Sequence, residues 1–118
     1  MSMFHSVPKS FGYAWAGIKT AFLKEPNFRV HVFATLLAVA LGLFVGLNNQ
    51  EWSILMVTIS MVVALELINT AIEAIVNLVS PQMQEAARVA KDTAAAAVLL
   101  SAIGAVIVGL MLFVPKLI

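Results

Sequence analysis

Apolar residues fall into four stretches, and the first differs in kind from the other three. Across residues 4–24, Phe11, Trp15, Ile18 and Phe22 recur at i, i+4, i+7 and i+11, one face of a helix, while Lys9, Tyr13 and Lys24 lie elsewhere on the wheel. This period predicts an amphipathic helix lying in a membrane interface, its aromatic side in the acyl boundary and its lysines near anionic headgroups. A short soluble helix packed on a partner is the alternative. Three nearly continuous apolar runs follow, at 30–47, 52–79 and 93–114. A hydrocarbon core about 30 Å thick needs roughly 20 helical residues. The first run just suffices, the last fits, and the middle one is longer than required. The expected architecture is an all-α membrane protein in which residues 1–118 form a single domain of one interfacial and three transmembrane helices.

Composition agrees. The chain is 62% hydrophobic and 11% charged, far from the balance of soluble domains. It has no cysteine, which excludes a disulfide scaffold and thiolate chemistry. A cleavable signal peptide is not expected, because the first long apolar run begins too far from Met1 and is too long.

The placement of charge orients the spans. Lys9, Lys19, Lys24 and Arg29 precede the first run, and Arg88 and Lys91 lie between the second and third, whereas the connection 48–51 holds no basic residue. The positive-inside rule then puts the N-terminus and the second connection in the cytoplasm and the C-terminus outside. Small residues repeat every four positions in the flanking spans, as Ala34, Ala38, Gly42 and Gly46 and as Ala97, Ser101, Ala105 and Gly109. Such stripes let helix backbones approach closely in lipid, and they lead us to expect a homo-oligomer. Their simple abundance in membrane helices is the plainer explanation.

The middle run carries the chemistry. Glu66, Asn69, Glu73 and Asn77 fall within roughly 80° of one another on a helical wheel, with Thr70 beside them. A charged side chain at the bilayer centre costs on the order of 3 kcal/mol, and such residues usually mark function. That stripe must face protein, water, a metal or a substrate. Glu73 lies about 9 Å and Glu66 about 20 Å from the inner end of the span. Glu25, just before the first span, stands at a depth similar to that of Glu73. Two carboxylates completed by water and phosphate oxygens suit Mg²⁺. Lys91 and Asp92 open the third span at the same interface, where a lysine can hold phosphates as a point charge. Glu66, deeper and among apolar residues, reads as a general base acting on a hydroxyl held within the membrane.

Plainer readings exist: interfacial charges for Glu25, Lys91 and Asp92, a snorkelling or Lys91-paired Glu73, and an interfacial anchor for Trp52. His5 and His31 lack a second histidine at metal-ligand spacing. The segment Gly12–Thr20 is a near-miss to a phosphate-binding loop, with Ile18 one residue too many before Lys19 and a helical pattern throughout.

Four blocks together resemble the small bacterial integral-membrane diacylglycerol kinase and undecaprenol kinase family. They are Glu66-Leu67-Ile68-Asn69-Thr70-Ala71-Ile72-Glu73, Ala90-Lys91-Asp92-Thr93-Ala94-Ala95-Ala96-Ala97-Val98-Leu99, Glu25-Pro26-Asn27-Phe28-Arg29-Val30-His31 and Gly12-Tyr13-Ala14-Trp15-Ala16-Gly17. The likeness runs from about residue 6 to the end. It implies a homotrimer that binds Mg-ATP at the cytoplasmic interface and transfers phosphate to a lipid alcohol. By position it implies Glu25 and Glu73 as metal-binding carboxylates, Glu66 as catalytic base and Asn69 as a support for that centre. Tyr13, Lys91 and Asp92 match nucleotide-contacting positions, joined by Glu25, Glu73 and Asn77. The lipid would lie along the surface helix near Trp15 and Lys19, reaching Glu66 and Ala95. Asn77 stands where the family usually has Asp, Ser6 where some members have Arg, and Gln84 where His is frequent. The segments Asn27–His31 and Phe113–Lys116 look closer to the undecaprenol-preferring members.

The expected function is thus an ATP- and Mg²⁺-dependent lipid kinase acting on undecaprenol or diacylglycerol. The rival is a small ion- or proton-coupled subunit with Glu66 as its carrier carboxylate. It leaves Glu25, Glu73, Lys91 and Asp92 idle, and residues 52–65 offer only Ser53, Thr58 and Ser60 as a relay. A non-catalytic assembly factor would need no polar stripe at all.

Overall fold

The computed structural model describes residues 6–118; His5 and residue 4 of the expected first helix lie outside them. Four helices follow in order: α1 (Val7–Lys24), α2 (Pro26–Val45), α3 (Asn49–Val79) and α4 (Glu85–Leu117). The last three are long and apolar enough to cross a membrane. Their outward surfaces carry Leu36, Leu37, Phe44, Leu99, Leu100 and Met111, which is the lipid-facing pattern of a membrane bundle rather than of a soluble one.

The helix ends depart from the apolar runs for local reasons. Ser6 caps α1 with extended backbone instead of joining it, and Pro8 follows in the first turn. At the other end of the chain's first span, α2 stops at Val45, because Gly46 takes the left-handed conformation (φ 75°) that a helix C-terminus favours. Asn48 then starts α3 three residues before the apolar run. Its Oδ1 accepts from the Glu51 N–H at 2.9 Å, and Glu51 Oε1 accepts from the Asn48 N–H at 3.0 Å, a reciprocal capping box. The connection expected at 48–51 therefore shrinks to 46–48. Likewise the 80–92 connection shrinks to 80–84, because α4 begins with two polar turns from Glu85. Pro115 lies inside the last turn of α4, where its missing N–H leaves the Met111 carbonyl without its helical partner near the end of the helix.

The α3–α4 pair is the most extensive contact; α2 packs across it, and α1 touches α2 and α3 but not α4. A cluster of buried apolar residues lies at the α2–α3 turn, where Leu47, Leu55, Leu112 and Phe113 gather with Trp52 against them. There Lys116 Nζ reaches Glu51 Oε1 at 3.2 Å and ties the end of α4 to the start of α3. Trp52, expected to be an interfacial anchor, packs on Gly42 so closely that a Cβ there would lie 2.8 Å from the indole Cη2.

Only that glycine closes a stripe of small residues as expected. Gly46 makes the turn, and Ala34, Ala38, Ala105 and Gly109 line a cavity of about 280 Å³ between α2, α3 and α4. Small side chains here leave space instead of bringing two backbones together along their length.

Candidate active site between the helices

Glu25 occupies a corner that its neighbours dictate. A residue before proline is kept out of the helical region, and Glu25 is extended (φ −111°, ψ 106°), ending α1 and starting α2 with Pro26 at the first helical position. Arg29 fastens the corner: its Nη1 donates to the Phe22 carbonyl at 2.8 Å and the Leu23 carbonyl at 3.3 Å, serving the unpaired end of α1. Ala21 and Phe28 are buried beneath it. Glu25 itself is half-buried.

Glu66 lies on α3 and is 2% exposed, the one buried charged residue among those described. Its Oε1 stands 3.1 Å from His31 Nε2 on α2. The pair is in charge contact without the alignment of a full hydrogen bond, since Oε1 is otherwise unpartnered. Thr70 donates its hydroxyl to the Glu66 carbonyl at 3.1 Å. One turn along, Asn69 Nδ2 donates to Glu73 Oε1 at 3.4 Å, a long bond, and leaves Asn69 Oδ1 buried and unpaired. Glu25 and Glu73 both lie near enough for their charges to act on Glu66. Three carboxylates of like sign therefore share one region of a low-dielectric bundle, with an orphaned amide oxygen beside them.

The carboxylates of Glu25 and Glu73 are hard oxygen donors of the kind magnesium takes, and Asn69 Oδ1 adds a neutral one. Among the described residues no three His, Cys, Asp or Glu side chains come together closely enough to hold a metal ion by themselves. An ion held here would draw its remaining ligands from water and phosphate, as Mg²⁺ commonly does.

The other expected residues are distributed around this centre. Tyr13, Trp15 and Lys19 are exposed on α1. Ala16, Gly17 and Thr20 of the same helix form a groove with Leu67, Thr70 and Ala74 of α3. Lys91 is half-buried near the start of α4. Asp92 is exposed and bonded to Arg88 Nη1 at 2.9 Å, and Arg88 also holds Glu85. Ala95 and Asn77 are exposed. Because α1 and α4 do not touch, Tyr13 and the Lys91–Asp92 pair are not brought together within one protomer.

His31 is the contact that metal-ligand spacing alone did not suggest. Register would have found it. With Glu25 level with Glu73 on antiparallel helices, six residues onward on α2 and seven back on α3 advance about 9 and 10 Å, which brings His31 opposite Glu66.

Comparison with known proteins places these residues in a wider group. Residues 12–113 match the family described as prokaryotic diacylglycerol kinase. The chain is 45% identical over 109 residues to a diacylglycerol kinase of Synechocystis sp., covering 92% of this chain and 62% of that protein. It is 40% identical to the undecaprenol kinase of Bacillus subtilis, covering 92% of this chain and 89% of that one. Identity to the diacylglycerol kinase of Escherichia coli K12 is 35%, over 88% of this chain and 85% of that one.

Proposed function

The chain belongs to the prokaryotic diacylglycerol kinase family, and on that footing we propose that it is a lipid kinase, a phosphotransferase with an alcohol acceptor. ATP is the phosphoryl donor, and the acceptor is the hydroxyl of a membrane lipid, undecaprenol or diacylglycerol. The observation that carries this reading is a buried carboxylate, Glu66, two turns of helix from a second carboxylate and its amide partner on the same stripe.

In the reaction, Glu66 accepts the proton of the lipid hydroxyl as its oxygen attacks the terminal phosphorus, and ADP departs. The lipid headgroup approaches Glu66 along α1, where a groove with α3 is lined by Gly17, Thr20, Leu67 and Thr70, with Trp15, Lys19 and Ala95 as the expected lipid contacts. Glu25 and Glu73 would hold magnesium, which when bound supplies neutralisation of the phosphate charge. Asn69 keeps Glu73 turned toward that position. Tyr13, Asn77, Lys91 and Asp92 bind the nucleotide, and Lys91 contributes a positive charge to its phosphates. Phosphoryl transfer depends mostly on positioning and charge compensation, so a small helical scaffold without a phosphate-binding loop is adequate.

The protein works in a bacterial inner membrane as one domain with α1 in the interface, its N-terminus cytoplasmic and its C-terminus outside. It functions as a homo-oligomer, a trimer. The separation of α1 from α4 supports this, since a second copy can supply the half of the nucleotide site that one protomer holds apart. The relatives carry both acceptor names and do not favour a proton-coupled subunit.

Purified protein in vesicles with radiolabelled ATP tests the proposal. Labelled lipid should form from at least one of undecaprenol and diacylglycerol, and Glu73→Gln should abolish Mg-ATP binding. Absence of labelled product from every lipid alcohol offered would exclude kinase activity.

A further inference from the structure

Glu66 has one recorded basic neighbour, and that neighbour is itself held. His31 belongs to the second turn of α2 and is half-buried. The Thr35 hydroxyl donates to the His31 carbonyl at 2.8 Å, one turn further along the same helix. Its side chain forms part of the wall of the cavity between α2, α3 and α4, whose other lining is almost entirely apolar. The imidazole therefore has little polar company except the carboxylate 3.1 Å away.

We propose that His31 is a positioning residue for Glu66: its Nε2, already 3.1 Å from Oε1, turns into a hydrogen bond with that oxygen when the acceptor binds and leaves Oε2 as the oxygen presented to the acceptor hydroxyl. This rests on the reading of Glu66 as the base of a lipid kinase. A base works only when its lone pair points along the proton to be taken, and a third group commonly fixes that direction. Glu66 needs such a group. Its neighbours on α3 offer it no side-chain partner, and Asn69 donates to Glu73 instead. A carboxylate free to rotate about its terminal bond would spend part of its time with neither oxygen aimed at the substrate, and small misplacements near a reacting atom cost up to about 100-fold in rate. The ring reaches Glu66 from another helix, so the contact also sets the separation of α2 and α3 at the depth of the chemistry.

Kinetics of three variants in vesicles decide the matter, with thermal unfolding measured alongside. His31→Ala should lower kcat roughly 10- to 100-fold while KM for ATP stays within about twofold. His31→Gln, whose amide can still donate toward Oε1, should recover to within about fivefold of the parent. Placed in a Glu66→Gln background, His31→Ala should change the residual rate by less than about twofold, because a residue acting through Glu66 has nothing left to act on. A full additive loss in that background overturns the proposal, as does a glutamine variant no better than alanine. A rate loss that only tracks a fall in unfolding temperature overturns it too. Should His31→Ala not fold, the glutamine variant alone and in the Glu66→Gln background carries the same comparison. A parent protein that phosphorylates no lipid would instead remove the kinase reading, so the two failures are distinct.

Discussion

Two residues in α2 and α3 show how differently one side chain can bear on stability and on chemistry. With Glu66 in its proposed role as base, Glu66→Gln should reduce lipid phosphorylation at least about 100-fold, the ordinary worth of a positioned base. The same change spares the bundle a buried charge, so thermal unfolding in detergent should move up or stay level. Gly42 gives the opposite case. A methyl group there would press on the Trp52 indole at 2.8 Å and Leu47 Cδ1 at 2.9 Å, so Gly42→Ala should cost about 1–3 kcal/mol through overpacking. Gly109→Ala, facing open space, should be neutral or add up to about 1 kcal/mol from helix propensity. Denaturant titration of the two variants side by side checks the contrast. That Glu66, Asn69 and Glu73 lie together on one side of α3 was legible because charge in an apolar run is expensive and their spacing puts them on one face. The partnership of Glu66 with His31 was not, since a lone histidine is judged by spacing along the chain and its partner lies on another helix.

The four elements and their order were similarly readable from periodicity and length, but their ends were not. Hydropathy marks where a chain can enter lipid; hydrogen bonding decides where a helix starts and stops. Asn48 and Glu51 begin α3 early, Gly46 ends α2 before Leu47, and α4 extends two polar turns toward the 80–84 connection. The stripes of small residues, read as a contact between subunits, serve more than one purpose within the protomer. An alanine every fourth position permits either close approach or an open cavity, and only the large neighbours, Trp52 at one level and none at another, decide between them. At this scale the α1–α2 corner is the most exposed to test. Arg29→Ala strips two carbonyls of their donor and should speed hydrogen exchange in the last turn of α1, while protection in the middle of α3 stays unchanged.

For the molecule as a whole, the lack of cysteine makes orientation directly measurable. Single cysteines at Gln82, in the exposed 80–84 connection, and at Ile118, 96% exposed, should react oppositely with a membrane-impermeant maleimide on intact cells. Only the Ile118→Cys variant should be labelled, and the reverse pattern would invert the assigned topology. Assembly is where a single chain says least, because α1 and α4 stay apart within it. The packing is also uneven along the long axis. Leu47, Leu55, Leu112 and Phe113, the capping box and the Lys116–Glu51 tie all crowd the end near Trp52, whereas the acidic end is bridged by His31–Glu66 and little else that is polar. The ion pair that ties α3 to α4 thus sits at the end away from the acidic stripe, and a bulky amphiphile sliding in sideways from the bilayer toward Glu66 would have no such tie to break.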